Sequence, residues 1–323
     1  MIDQELLELR GVAARLGVRL GDARLLTASR GQAAFFGSQF TLLTDPWRAY
    51  DHALATAYFH GRPGTPGMPE FDTAYETLRA HHREIERIQV THAEMHDLVL
   101  SSGIDPAKVF RIRIGVDLEL FPQRSSDDRS AARRELGLPE QAYVVGSFQK
   151  DGVGWGDGEA PKLIKGPDVL VEAMRILRVR RPELTVLLSG PARGFVRAGL
   201  ERNGIPFVHV RPDTYEGVAR LYAALDAYVV PSRQEGGPKS VLESMASGVP
   251  IVSTRAGQAT ELIDDGVNGR LVDVEDAEAL ADALADDRLP ELVPAGRETA
   301  LANDKRAQEP LWRECFDGFV AHA

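Results

Sequence analysis

Apolar positions along the chain fall into two rhythms. In the C-terminal half, short apolar runs at Tyr143–Phe148, 184–188, Phe207–Val210, Ala227–Val230 and 250–253 alternate with longer stretches at 168–179, Gly194–Arg202, 214–225 and Ala277–Ala285, where apolar residues recur every three or four positions. The first pattern predicts buried strands and the second amphipathic helices. Unbroken apolar strands separated by helices predict a parallel sheet covered on both faces. Ligands of such sheets bind beyond the carboxyl ends of the strands. This reading puts Gly146, Gly190, Gly236, Gly237 and Gly257 at those ends.

The N-terminal part carries fewer units of the same kind. Residues 4–16 have helical spacing, 33–36 and 54–59 read as strands, 72–88 as one long polar helix, and 89–91 and 110–114 as further strands. The polar stretch QRSSDDRSAARR, residues 123–134, lies between Pro122 and Pro139 and reads as a linker with a short charged helix. The expected organisation is therefore an N-terminal domain over 1–122, a linker over 123–139 and a C-terminal domain over 140–307. Residues 308–323, with aromatics at helical spacing, are expected to pack back onto the first domain.

Composition narrows the class. With 323 residues the chain suits two domains. Its 43% hydrophobic and 27% charged residues are those of an ordinary globular enzyme. No run approaches the ~20 apolar residues of a membrane span, and the acidic opening MIDQELLELR does not read as a secretory leader. A single cysteine, Cys315, fits a reducing compartment, so a cytoplasmic location is expected. A net charge of -10 argues against broad nucleic-acid binding. An oligomer is compatible with all of this.

The chemistry concentrates in VVPSRQEGGPKSVLESMASGVPIVST, residues 229–254. Gly237 reads as a helix N-cap and Pro238 as part of the first turn. A helix start offers free N–H groups and the positive end of the dipole to an anion, over Gly236, Gly237, Pro238, Lys239 and Ser240. At ~1.5 Å per residue, Glu243 lies ~7 Å further along, about the step from a nucleotide's phosphates to its ribose. Glu235, before the turn, could meet hydroxyls on the other side. The bland alternative is that Glu235 only favours the helix dipole and Glu243 only faces solvent.

The segment 231–254, with Glu235 and Glu243 eight positions apart and then Ser247-Gly248-Val249-Pro250, resembles the signature of GT-B glycosyltransferases of the large retaining family 4. Gly257, Glu261 and Asp265-Gly266-Val267-Asn268-Gly269 match its continuation, and Ile114-Gly115-Val116-Asp117 with Phe121-Pro122 resembles its interdomain link. The resemblance covers about residues 109–276. It implies an α/β GT-B fold, two Rossmann-like domains facing across a cleft, here with a short atypical N-terminal domain. It also implies a donor that is a nucleotide-diphosphate sugar (UDP- or GDP-sugar), no other cofactor, and a hydroxyl acceptor such as a glycan, lipid or small molecule.

By the same resemblance Glu243 binds the ribose, Glu235 the transferred sugar, and Lys150 and Lys165 neutralise the diphosphate, with Lys162 a competitor for that role. His60, at the end of an apolar strand, would touch the donor sugar. Fixed cations stabilise the charge that builds on a departing diphosphate. No two aspartates stand two residues apart, so metal-independent transfer is expected. His92 and His96 stand at i and i+4 but lack a third ligand, and read as a polar helix edge. Ser38 and Gln39 are weaker acceptor-side candidates, and Arg178, Arg180 and Arg181 read as solvated. The family's opening strand and glycine-rich loop have no counterpart here. The expected function is thus retaining glycosyl transfer. The alternatives are a nucleotide-sugar-binding protein that needs a partner subunit, and an epimerase acting on the sugar nucleotide.

Overall fold

The computed structural model describes residues 2–44 and 50–320, which form two compact units: the described residues up to 115 together with those from 305 onward, and residues 116–304. The first unit opens with α1 (Ile2–Arg15), then β1 (Ala33–Phe36), α2 (Gln39–Thr44), β2 (Ala53–Ala57), α3 (Pro69–His81), β3 (Ile85–Val90), α4 (Ala93–Leu100) and β4 (Val109–Arg111). Its sheet runs β1-β2-β3-β4, every pair parallel.

The second unit contains α5 (Ser126–Glu135), β5 (Tyr143–Phe148), α6 (Pro167–Arg180), β6 (Leu184–Ser189), α7 (Gly194–Arg202), β7 (Phe207–Val210), α8 (Tyr215–Leu221), β8 (Ala227–Val230), α9 (Lys239–Ser247), β9 (Ile251–Thr254), α10 (Ala259–Leu262), β10 (Arg270–Val272), α11 (Ala277–Ala285) and α12 (Val293–Ala302). Its six strands lie in the order β10-β9-β8-β5-β6-β7, again all parallel. The chain then returns to the first unit with α13 (Glu309–Phe316). The fold is α/β, with two parallel-sheet Rossmann-like units.

The apolar periodicity explains the second unit well. Every residue of β6 is buried, as a central parallel strand requires. Leu170, Ala173, Met174 and Leu177 of α6 form one fully buried stripe against that sheet face. Val241, Leu242, Met245 and Ala246 of α9 do the same on the other face.

Several expectations need correction. Residues 72–88 are not one helix: α3 ends at His81 and β3 begins at Ile85. Charged Glu86 and Arg87 disguise that strand. The Arg87 guanidinium is absorbed by the C-terminal segment, donating to the carbonyls of Cys315 at 3.1 Å and Asp317 at 2.9 Å. The stretch 123–139 carries the short charged helix expected of it, and that helix packs as part of the second unit. Ser125 and Asp128 close a capping box on α5, and Arg133, fully buried, reaches Asp226 at 2.6 Å and the carbonyl of Ala224 at 3.1 Å. That helix belongs to the second unit, so the division falls at residue 115 instead of 122. Arg180 and Arg181 are not merely solvated: Arg180 pairs with Glu278 at 2.6 Å and Asp282 at 2.5 Å, and Arg181 donates to the carbonyl of Ala285 at 3.0 Å, joining α6 to α11. Among the described residues, no helix is long and apolar enough to cross a membrane.

In the first unit, Trp312, Cys315 and Phe316 of α13 pack against Val12, Leu16, Ala55 and Ile112. Burial among these side chains pushes the Cys315 thiol up to about 12. Cys315 should therefore resist thiol reagents at pH 8 in the folded protein and react fully in denaturant, as a colorimetric thiol assay would show. Asp226 accepts from Arg133, Arg129 and the Val144 N–H. Asp226→Ala should cost about 3 kcal/mol of unfolding free energy, because a buried guanidinium is left without its partner, measurable by urea titration.

Candidate donor site

The loop after β8 and the 3₁₀ turn Leu163–Lys165 before α6 form the centre of the site. Their backbones are joined directly: the N–H groups of Arg233 and Gln234 both donate to the carbonyl of Ile164, at 2.9 and 3.1 Å. Arg233 strengthens the join. Its guanidinium grips Asp168 in a fork at 2.8 and 2.7 Å, donates to the carbonyl of Leu163 at 2.7 Å, and reaches Glu275 at 2.6 Å. The Arg233 guanidinium holds the Asp168 carboxyl below the usual carboxylate range.

This arrangement delivers Lys165 to Glu235. The ammonium contacts both carboxylate oxygens, at 2.6 and 2.7 Å, and Ser232 donates to the first at 2.7 Å. The side chains are only 19% and 9% exposed, so the pair is shielded without being sealed. Gly257, at φ +56, lets the loop close: a Cβ there would stand 2.2 Å from the Glu235 carbonyl oxygen.

Glu243 lies on α9, a helix that is buried almost all round. A buried carboxylate requires hydrogen-bond donors, and two tyrosines supply them. Tyr215 donates to Oε1, and Tyr222 donates to Oε2 at 2.8 Å. Phe121 packs edge-on against both tyrosine rings, fixing their hydroxyls. Burial, and then the Glu243 charge, push the Tyr222 phenol well above its ordinary value, so it stays protonated as a donor. Lys239, itself buried, lies with its ammonium 5.4 Å from the Tyr215 ring centroid.

The helix begins one residue later than its sequence suggested. Pro238 is the N-cap residue, in extended conformation and without a side-chain cap, and Lys239 opens the helix. Gly236 and Gly237 form the turn before it. Gly146 lies inside β5 instead of beyond it, where a Cβ would meet a Leu225 methyl at 2.4 Å: its role is strand packing. Gly190 does follow its strand, and its carbonyl meets His209 Nε2 at 2.9 Å. The Lys150 ammonium sits 3.8 Å from the centroid of the Trp155 ring, while its neighbour Gln149 donates to the Lys165 carbonyl at 3.0 Å. Lys162 donates its backbone N–H to the Asp151 carbonyl at 2.7 Å.

His60 belongs to the other unit, with its ring against Phe40 and Phe59 at 5.6 and 4.6 Å. Gln39 is fully buried and accepts from the backbone N–H groups of Phe59 and His60, both at 2.9 Å, so it holds the β2 exit instead of facing a ligand. Ser38 is likewise buried. His92 meets Thr91 Oγ1 at 3.0 Å. Among the described residues, no group of three or more His, Cys, Asp or Glu is placed to hold a metal.

The profile of the glycosyl transferases group 1 family matches residues 158–286. Over that segment the chain is similar to that family. The group 1 segment contains Lys165, Asp168, Tyr215, Tyr222, Arg233, Glu235, Glu243 and Gly257. A D-inositol 3-phosphate glycosyltransferase from Kribbella flavida is 35% identical over 211 residues, 60% of this chain and 46% of its own. One from Saccharomonospora viridis is 33% identical over 259 residues, 73% and 55% respectively. The chain thus spans about half the length of these relatives.

Among solved structures, Anabaena HepE with UDP-glucose aligns with TM-score 0.67 at 22% identity, over 83% of this chain and 72% of the other. Sucrose-phosphate synthase from Thermosynechococcus elongatus aligns at 0.66 and 24%, over 83% and 69%. These likenesses show the GT-B fold.

Sequence reading missed the group 1 segment's supporting residues: Tyr215, Tyr222, Ser232, Arg233 and Asp168. Ser232 and Arg233 stand beside Glu235 and were within reach of a search for neighbours of a buried carboxylate. The tyrosines come from another helix-turn, and only the tertiary fold brings them in. Tyr222→Phe should lower unfolding stability by about 1–3 kcal/mol, because it removes a donor from a buried carboxylate. In a Glu243→Gln background the loss should shrink. Equal losses in both backgrounds, by denaturant titration, would show that the hydroxyl does not serve Glu243.

Proposed function

We propose that the chain transfers a sugar from a nucleotide-diphosphate sugar to an acceptor hydroxyl, with retention of anomeric configuration and without a metal. The carrying observation is the cluster around the Gly236-Gly237 turn: a shielded Lys165–Glu235 pair and a Glu243 carboxylate held by two tyrosines. The HepE structure described with UDP-glucose supports a uridine donor. The names of the relatives above support glycosyl transfer to a hydroxyl.

In this reading the diphosphate enters at the start of α9 and shares Lys165 with Glu235. Glu235 then turns lone pairs to the hydroxyls of the transferred sugar, and Glu243 accepts from the ribose. The bond from the anomeric carbon to the β-phosphate oxygen breaks while the acceptor oxygen bonds to the same face. The acceptor proton passes to the leaving diphosphate. Lys165 stabilises the charge that builds there, in a site where fixed charges count for more than in water.

Lys165→Ala should lower kcat about 10²–10³-fold with the fold intact, and Glu243→Ala should chiefly raise the donor KM, by about tenfold or more. Two variants that both behave like wild type would refute the assignment. Chelator should leave turnover unchanged, and proton NMR of the product should show the donor's anomer. The alternative reading is a donor-binding chain that needs a partner subunit for turnover. Donor binding by calorimetry, lost in Glu243→Ala and with no transfer or hydrolysis, would support it instead.

A further inference from the structure

The loop leaving β5, residues 149–162, has glycine at 152, 154, 156 and 158, yet it is held along its length. Gly152 bridges to Pro161, and the Val153 N–H donates to the Ala160 carbonyl at 2.9 Å. The N–H groups of Gly194 and Phe195, which begin α7, donate to the carbonyls of Asp157 and Gly158 at 2.6 and 2.9 Å. A Cβ on Gly158 would stand 2.3 Å from the Ala192 carbonyl oxygen, so the loop backbone lies directly on the turn before α7. At its base Asp151 and Arg193, both fully buried, stand 3.2 Å apart. This fixed loop presents Trp155 at its tip, 82% exposed.

Two residues beyond Trp155, the loop forms one wall of a groove of about 350 Å³ whose other wall is α7. Asp157, Glu159, Phe195, Arg197, Glu201 and Arg202 line it. Elsewhere exposed arginines pair with carboxylates, as Arg175 does with Glu172 at 2.7 Å. Among the described residues, none of the five charged groups of the groove makes an ion pair or a side-chain hydrogen bond.

The chemistry of the lining selects a class of ligand. Three carboxylates stand against two guanidiniums in the lining, and the Lys150 ammonium on one face of Trp155 brings the charges into balance, so the site has no excess of positive charge to select a phosphate, a nucleotide or a nucleic acid. The first N–H groups of α7 are already taken by the loop carbonyls, so the helix start offers nothing to an anion. Carboxylates and guanidiniums bond in two-pronged fashion, which suits vicinal hydroxyls. Trp155, with Phe195, offers aromatic surface to the C–H face of a pyranose ring.

We propose that this groove binds a neutral oligosaccharide, with one ring on Trp155 and hydroxyls held by Arg197, Glu201 and Arg202. The groove shares no residue with the Lys165–Glu235–Glu243 cluster, so the inference does not rest on the transfer reaction.

The test titrates the full chain with neutral tetrasaccharides of glucose, galactose, mannose and N-acetylglucosamine, reading calorimetry and tryptophan fluorescence with and without UDP. Saturable binding of at least one, with a shift in tryptophan emission and no competition from UDP, is the expected result. Trp155→Ala and Glu201→Ala should each weaken it by about tenfold or more, with Glu201→Gln guarding against loss of fold, while thermal stabilisation by UDP stays as in wild type. No saturable binding across the panel, or undiminished affinity in the Trp155→Ala/Glu201→Ala double variant, would overturn the proposal. Tighter binding of inorganic phosphate or a sulfated glycan would overturn the neutral class. Glycan binding without any sugar transfer would refute the reading of function and leave the groove standing.

Discussion

In a sheet whose strands all run the same way, every loop that leaves a carboxyl end arrives at the same edge. That constraint governs the second unit. Six parallel strands give one edge where the loops after β5, β6, β8 and β9 meet. The sheet interior takes up the apolar side chains, so polar groups collect at that edge. The Lys165–Glu235 pair is a product of this geometry, since its partners come from loops that follow two adjacent strands.

Gathering charge at a shielded edge costs free energy unless each group finds partners. The structure meets the requirement with several different devices. Glu243 takes two phenol donors, Glu235 an ammonium and a serine hydroxyl, and Asp168 the fork of Arg233. Arg193, buried at the same edge, donates to the carbonyls of Ser147 and Gln149, each at 2.8 Å, and so ties the end of β5 to the turn after β6. These partners fix orientations as well as offsetting burial. A carboxylate held at both oxygens has little freedom to turn, which is the condition for recognising a ligand without paying to order the site first.

What the sequence disclosed follows from what its periodicities measure. Burial on both faces makes β5, β6 and β8 near-continuous apolar runs, and they were legible as strands. In β3, Glu86 and Arg87 broke the run, because the partner of Arg87 lies more than two hundred residues away in the C-terminal segment. The short charged helix α5 was legible, but its packing into the second unit was not, for a related reason. Its composition is polar, but Arg133 is a core residue through its bond to Asp226. Buried charge with a distant partner has no signature in local pattern. The same limit applied at the site. Glu235 and Glu243 stood out by spacing, whereas Tyr215 and Tyr222 are ordinary aromatics until the fold brings them to Glu243. Lys150 and Lys165 looked alike as loop cations, but the first stands over Trp155 in the loop 149–162 and the second, in the turn Leu163–Lys165, meets Glu235.

The ion pair itself bears on how a ligand would be held. A Lys165 engaged by both oxygens of Glu235 is not a bare cation awaiting phosphate. A diphosphate would have to draw part of that ammonium away, and the attraction it gains is reduced by the carboxylate alongside. Such a pair lowers affinity for an anion alone. It penalises less a ligand that brings hydroxyl donors for the carboxylate together with phosphate oxygens for the ammonium. A sugar joined to a diphosphate carries both, and a free diphosphate only one. In the proposed reading the pair would therefore favour the joined molecule over its severed half. Departure of the sugar would remove the hydroxyls from Glu235, return Lys165 to it, and loosen the remaining nucleotide.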